Sequence, residues 1–368
     1  MKDRSPLCCS EIAEPVAVLG VGVEGLATIQ YLRRIGARSI IALDHKPILG
    51  LPEDVPFMTG PDYLEGLRSA ATIFRSPGIR PDLVALEEAR ARGACITSAM
   101  NEFLSRCKAE VIGVTGTVGK GTTSTLIFEM LRNSKMVCHL AGNIGKSPLE
   151  LLETMGPHDV VVLEISSFQA MDLLRSPEVC VVLRTTSEHL DWHTSLQEYR
   201  EAKAGLVRHQ DPTSTVVYCA DAAGSQDIAA QSPAARRWAY SLTQAVDVGA
   251  FFQQDRFVLA QDGKLQTLSL LPKDLRIAGV FNRENILASL LAALAAGASL
   301  QPCLDAAAVF QGLPHRLELA AWGGNVRFFN DSYATRPDAT IGALGCFDGE
   351  PLALILGGSE KHADFGPL

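Results

Sequence analysis

The sequence has no spaced cysteine-pair motif, and only Cys8 and Cys9 are neighbours. Its nine cysteines, at positions 8, 9, 95, 107, 138, 180, 219, 303 and 346, form no CxxC and no cluster with histidine. That argues against a thiolate metal site and a disulfide framework, and most are expected as small buried apolar groups in a reducing compartment. Basic excess is also lacking: 33 Lys and Arg against 41 Asp and Glu leave a formal charge of -8. A nucleic-acid binder would show a basic face, so nucleic acid is not an expected partner. The opening MKDRSPLCCSEIAEP carries no apolar run of the signal-peptide kind. The most apolar long stretch, Ile286 to Leu300, is Ala-rich and falls short of the ~20 residues a membrane helix needs. A cytoplasmic protein with no membrane partner is expected. Internal repeats and low-complexity tracts are missing as well.

What is present is an ordinary globular composition, 47% hydrophobic and 20% charged. With 368 residues, two or three domains are expected. From residue 15 to 107, apolar runs (PVAVLGVG, SIIALD, ATIFRSPGI) alternate with the helical periodicity of EGLATIQYLRRIG, implying a parallel sheet with helices on its faces. A second unit opens with the strand EVIGVTG, the glycine-rich TVGKGTT and the helix STLIFEMLRNS. DVVVLEISS, VCVVLRTT and STVVYCAD follow as strands, FFQQDRFVLAQDGKLQTLSL as antiparallel strands, and NRENILASLLAALAAGA as a buried helix. Near Gly312 a strand-rich unit begins, continuing to a helix near Pro337 and a strand PLALILGG. With residues 313–368 alone, this third unit is about half of a typical ~100-residue domain and is expected to be incomplete.

The strongest local signal is the run Thr115 to Thr123 between a strand and a helix. Glycines let backbone N–H groups converge on phosphate oxygens, and the helix N-terminus adds partial positive charge. Lys120 supplies a point charge for β- and γ-phosphates. The Ser/Thr usual after that lysine is Gly121, so Thr122 or Thr123 is left to face a metal. The loop Gly20 to Gly25 follows a strand, and Asp44 closes the next one, which outlines a dinucleotide fingerprint. That geometry suits NAD or any diphosphate nucleotide, a UDP-sugar included. Glu164 ends DVVVLE at the carboxyl edge of the sheet, a sound place for a Mg²⁺ ligand. His189 in SEHLD offers a second ligand, although a lone histidine is more often structural. Lys203 in YREAK reads as a solvated helix lysine. Asn282 and Asn285 are compatible with plain N-capping, and His315-Arg316 with a salt bridge at a domain junction.

In this order, the segments GVGVEG, SPGI (76–79), TGTVGKGT, GNIG (142–145), LEISSFQ (163–169), SEHLD, YREAK, NRENILA, GLPHRLE, FNDSYAT (329–335) and GGSEKHADF (357–365) resemble the Mur ligase family. The resemblance runs from about residue 15 to the end and is strongest to the MurD-type, muramoyl-alanine–glutamate branch. It implies three α/β domains. A Rossmann-like domain, 1–107, would bind a UDP-sugar. A central P-loop ATPase-like parallel-sheet domain, 108–312, would bind ATP and Mg²⁺. A partial Rossmann-like C-terminal domain would span 313–368.

The implied activity is ATP-dependent addition of glutamate, D-glutamate in the family, to UDP-N-acetylmuramoyl-L-alanine through an acyl phosphate, in peptidoglycan precursor synthesis, by a monomer. Implied catalytic residues are Lys120, Glu164, His189 and Lys203. Glu164, His189, Thr122 and a carbamylated Lys203 would hold two Mg²⁺ ions; an unmodified lysine, with a pKa of ~10.4, could not. The nucleotide would meet Gly116, Thr117, Gly119, Lys120, Gly121, Thr122, Asn282, Asn285, Arg316, Asp331 and Lys361. Val23, Glu24, Asp44, Lys46 and Ser76 would meet the uridine diphosphate, and Asn143, Ser166 and Gln169 the muramoyl-alanine end. The sequence departs from the family pattern at Val118, Gly121, Glu24, Phe281 and Tyr333. These departures leave open an L-glutamate variant, a folylpolyglutamate-synthase-like ligase or a catalytically deficient relative. An NAD-dependent dehydrogenase would leave LEISSFQ and the Lys120 loop unused. The family's glutamate-binding residues lie mostly beyond residue 368, so poor turnover by this chain alone is expected.

Overall fold

A computed structural model describes residues 11–186, 193–334, 337–358, 365–366 and 368. The first sheet holds β1 (Val16–Leu19), β2 (Ile40–Asp44), β3 (Phe57–Thr59), β4 (Thr72–Arg75) and β5 (Cys95–Thr97), in the order β3-β2-β1-β4-β5. All its pairings are parallel. β1 and β4 are buried throughout, as expected of central strands covered on both faces.

The second sheet is built from β6 (Glu110–Thr115), β7 (Cys138–Gly142), β8 (Val160–Glu164), β9 (Val179–Val182), β10 (Thr215–Cys219), β11 (Arg236–Ser241), β12 (Gly249–Gln253), β13 (Arg256–Gln261) and β14 (Lys264–Thr267). Its order is β14-β13-β12-β11-β10-β9-β6-β8-β7. Pairing is parallel from β7 to β12 and antiparallel for β12–β13 and β13–β14. The unbroken apolar runs of β8 and β9 are fully buried. Helices Lys120–Asn133, Val280–Ala295 and Leu300–Val309 share one core with the sheet. Another core is continuous between the two sheets, joining Val16 and Phe74 to Phe103, Val161 and Leu206.

Polar contacts tie the same joint. The Arg75 guanidinium, 1% exposed, donates to Asp172 Oδ2 from Nη2 at 2.7 Å and to the carbonyls of Ser76 and Ile79. Asn101 Nδ2 donates to the Asp172 carbonyl at 2.9 Å, and Arg80 pairs with Glu198 at 2.9 Å.

After Gly312, which has a φ of +85°, β15 (Glu318–Gly323) and β16 (Val326–Asn330) form an antiparallel ribbon, followed by the helix Pro337–Leu344. The expected strand in PLALILGG is absent: residues 351–357 carry no regular structure. A strand requires a ladder partner. Here the apolar side chains stay exposed instead, Ile355 at 95%. The cysteines bring one further correction. Cys95 is disulfide-bonded, while Cys107, Cys138, Cys180, Cys219, Cys303 and Cys346 are free. No helix among the described residues is long and apolar enough to cross a membrane.

Candidate active site

The loop between β6 and the helix Lys120–Asn133 is shaped by two glycines. Gly116 has φ +151°, and a Cβ there would lie 2.6 Å from Leu183 Cβ; Gly119 has φ +87° and caps the helix in the left-handed region. Such a turn followed by a helix N-terminus is a ready anion site. The Lys120 ammonium folds back over the loop and donates to the carbonyls of Gly116 (3.1 Å) and Thr117 (3.0 Å).

Lys203 is not the solvated helix lysine of the bare sequence. It is 1% exposed, its Nζ donates to the Gly116 carbonyl at 2.8 Å, and it sits 4.5 Å from the Tyr199 ring centroid. Tyr199 lies one helical turn before Lys203. Its hydroxyl is 3.1 Å from Thr117 Oγ1, and the Thr186 N–H donates to that same threonine oxygen at 3.0 Å. Sequence reasoning missed Tyr199, although its i, i+4 spacing from Lys203 was a usable signal.

Glu164, at the end of β8, is 4% exposed, and its Oε1 accepts from Asn143 Nδ2 at 2.9 Å. Its Oε2 faces the start of the Lys120 helix: a Cβ on Gly121 would lie 3.2 Å from it and 3.1 Å from Leu313 Cδ1. Thr123 is fully buried and donates to Asn285 Oδ1 at 3.3 Å. Of the two candidate hydroxyls, Thr122 is therefore the one left for a metal. A buried hard-oxygen donor with one oxygen turned toward a phosphate loop fits Mg²⁺. His189 and Lys361 lie outside the described residues.

Asn282 and Asn285 are not N-caps, since Gly279 holds that position. Asn285 Nδ2 donates to Asn282 Oδ1 at 3.0 Å, and Asn282 Nδ2 to the Ala278 carbonyl at 2.6 Å. A Cβ on Gly119 would lie 2.3 Å from Asn285 Oδ1. Asn285 thus packs against the loop and fastens the two helices.

On the first sheet, Asp44 Oδ2 accepts from the Val21 N–H at 2.7 Å and Oδ1 from the Lys46 N–H at 2.9 Å. Ser76 packs on Gly20, and Val23 is exposed at the helix start. Glu24 Oε2 accepts from Gln169 Nε2 at 3.0 Å, bridging the two units. Burial pushes its carboxyl pKa up, against the Gln169 hydrogen bond, which lowers it. Ser166 and Gln169 form a capping box on Ser167–Ala170.

Among the described residues Arg316 makes no junction salt bridge; its guanidinium lies over the Tyr333 ring at 4.7 Å, while His315 approaches Glu318 at 3.7 Å. Asp331 Oδ1 accepts from the Leu317 N–H at 2.9 Å, and burial raises its pKa. Among the described residues, metal-type donor atoms also gather at Cys219, Asp221 and Glu284. Arg184 already pairs with that Glu284 and lies 4.0 Å from Asp221, so this group is a charge network.

A lysine-bearing phosphate loop, a buried carboxylate at the next strand end and a Rossmann-like sheet fixed alongside define a nucleotide-dependent enzyme of the P-loop type. Sequence comparison refines this. Residues 114–293 match the Mur ligase middle domain, and residues 14–98 match the Mur ligase MurD-like N-terminal domain. The UDP-N-acetylmuramoylalanine–D-glutamate ligase of Symbiobacterium thermophilum is 37% identical, over 97% of this chain and 80% of that protein. The ligase of that name from Acetivibrio thermocellus is 35% identical, over 96% and 76%. Among solved structures, the MurF ligase of Thermotoga maritima in complex with ADP shares the fold, at 21% identity and a TM-score of 0.54, over 91% of this chain and 72% of that one. The chain belongs to the Mur ligase family.

Proposed function

We propose that the chain is an ATP-dependent acid–amino-acid ligase that adds glutamate to UDP-N-acetylmuramoyl-alanine in peptidoglycan precursor synthesis. The observation that carries this reading is the convergence of Lys120 and Lys203 on one loop carbonyl, with Glu164 at the adjoining strand end. The names of its relatives supply the substrates.

The chemistry follows from charge. The alanyl carboxylate attacks the γ-phosphorus, the β–γ bridge breaks, and ADP leaves an acyl phosphate. The glutamate amine adds to that carbonyl, and the tetrahedral intermediate expels phosphate. Negative charge spreads over phosphoryl oxygens in the first step, so fixed cations and loop N–H groups stabilise it. Lys120 lies on the loop for this task. Gly116, Thr117, Gly119 and Gly121 let the backbone approach the phosphates, while Asn282, Asn285, Arg316, Asp331 and Lys361 would complete the nucleotide site.

Mg²⁺ would be held by Glu164 and Thr122 and would neutralise phosphate charge. A second ion on His189 requires Lys203 to be carbamylated, because its ammonium is a donor. Burial of Lys203 against the loop supports selection of that residue. The uridine diphosphate would take Val23, Glu24, Asp44, Lys46 and Ser76, and the muramoyl-alanine end Asn143, Ser166 and Gln169. We assign 1–107 to the UDP-sugar, 108–312 to ATP and 313–368 to the incoming amino acid. ATP and UDP-sugars are cytoplasmic metabolites, which supports a cytoplasmic location; the monomer rests on the family resemblance alone.

Gly121, in a GKG triplet that resembles that of folylpolyglutamate synthases, has a local explanation in Leu313 and Glu164 and does not call for a folate acceptor. The test is phosphate release by the full-length protein with the UDP-sugar and with D- and L-glutamate offered separately. Release that needs both the UDP-sugar and D-glutamate is expected. ATP hydrolysis indifferent to both would overturn the reading.

A further inference from the structure

We infer that His193 is a positioning residue for the divalent-ion site, an inference that rests on the ligase reading above. The imidazole is 1% exposed and touches the short helix that follows the Glu164 strand and the helix that carries Lys203. Its Nε2 lies 3.0 Å from Ser167 Oγ, and its ring stacks on Phe168 with centroids 5.5 Å apart and planes at 13°. Ser167 and Phe168 open the short helix that begins three residues after Glu164, with Ser166 as its N-cap. On its other side the ring meets Tyr199 edge-on, at 5.3 Å and 68°.

Tyr199 in turn supports the Lys203 ammonium on its ring face and reaches Thr117 through its hydroxyl. His193 is thus a spacer with one arm on the segment of Glu164 and the other on the helix of Lys203. An apolar side chain would fill the same space without the desolvation cost of burying an imidazole. The combination of a hydroxyl contact and two ring contacts holds one orientation, as outer residues do for metal ligands elsewhere. Neither arm touches the nucleotide loop except through Tyr199, so the effect falls on the separation of Glu164 from Lys203.

The test is calorimetric binding of ADP to the full chain, with and without Mg²⁺, for the wild type, His193→Phe and Ser167→Ala. Phenylalanine retains a ring but loses the hydroxyl contact; Ser167→Ala leaves the imidazole in place. Each variant should lose about 10-fold of the Mg²⁺-dependent gain in ADP affinity, while its Mg²⁺-free affinity stays within about twofold of wild type. A purely structural histidine would leave the gain of the folded molecules unchanged, and that result overturns the inference. If His193→Phe does not fold, Ser167→Ala decides. A wild-type chain with no Mg²⁺-dependent gain would instead overturn the ligase site itself.

Discussion

The ammonium groups of Lys120 and Lys203 donate to the same carbonyl oxygen, that of Gly116, at 3.1 and 2.8 Å. They come from different helices, 83 positions apart in the sequence, and meet at the loop where phosphate charge would develop. Unmodified, both are cations on one acceptor; carbamylation of Lys203 would leave Lys120 as the cation facing the phosphates.

Lys120→Ala should lower ligation by about 10²–10³-fold, the size found when one fixed donor to developing charge is removed. The fold should survive, because the lysine sits half-buried at the end of the loop and its hydrogen bonds to described residues go to that loop's own carbonyls, Gly116 and Thr117. Phosphate-release kinetics with a circular-dichroism control checks both. Activity within twofold of wild type would remove Lys120 from the chemistry.

Lys203→Ala should be inactive and should regain part of its turnover when short carboxylic acids are added. Such acids would supply the anionic oxygen that a carbamate provides. An inactive, folded variant that no carboxylate restores would leave Lys203 as a cation that braces Gly116.

Glu24→Gln should change how stability depends on pH. Burial holds the folded carboxyl above its ordinary value of 4.5. A raised acid gives stability that is full below the unfolded pKa and is lost as pH rises through the folded one. The amide still accepts from Gln169 and carries no charge to bury. Melting between pH 4 and 8 should show the variant gaining on the wild type as pH rises. A gap that does not vary with pH would contradict the burial argument.

Asn285→Ala should destabilise the chain by about 1–3 kcal/mol, because it strips partners from the buried Thr123 hydroxyl and Asn282 carbonyl oxygen. Urea unfolding at neutral pH measures it. Nucleotide affinity should weaken too, since Asn285 Oδ1 packs directly behind Gly119.

Local signals carried most of the fold. The strands β1, β6, β8 and β9 were legible because uninterrupted apolar runs mark strands covered on both faces. The loop at Lys120 was legible because glycines with positive φ and a following helix leave a short sequence trace. The strand expected at 351–357 had an equally apolar trace but no ladder neighbour, and pairing is not a property of one segment. The same reasoning explains what was missed at the site. Arg75 and Asp172 are 97 residues apart, and Tyr199 meets Thr117 across 82. Lys203 changed from solvated to buried for that reason: the carbonyl its ammonium bonds, that of Gly116, lies 87 residues away on the loop.

The guanidinium of Arg75 also decides where this molecule can bend. Parting the first two sheets would strand a sealed cation away from Asp172, at a cost of about 3–5 kcal/mol, and would tear an apolar layer common to both. Gly312, by contrast, introduces the ribbon through a backbone conformation that few residues adopt. The contacts that join the two sheets have no counterpart in that single backbone link, so the ribbon is held to them more by chain connectivity than by a sealed ion pair.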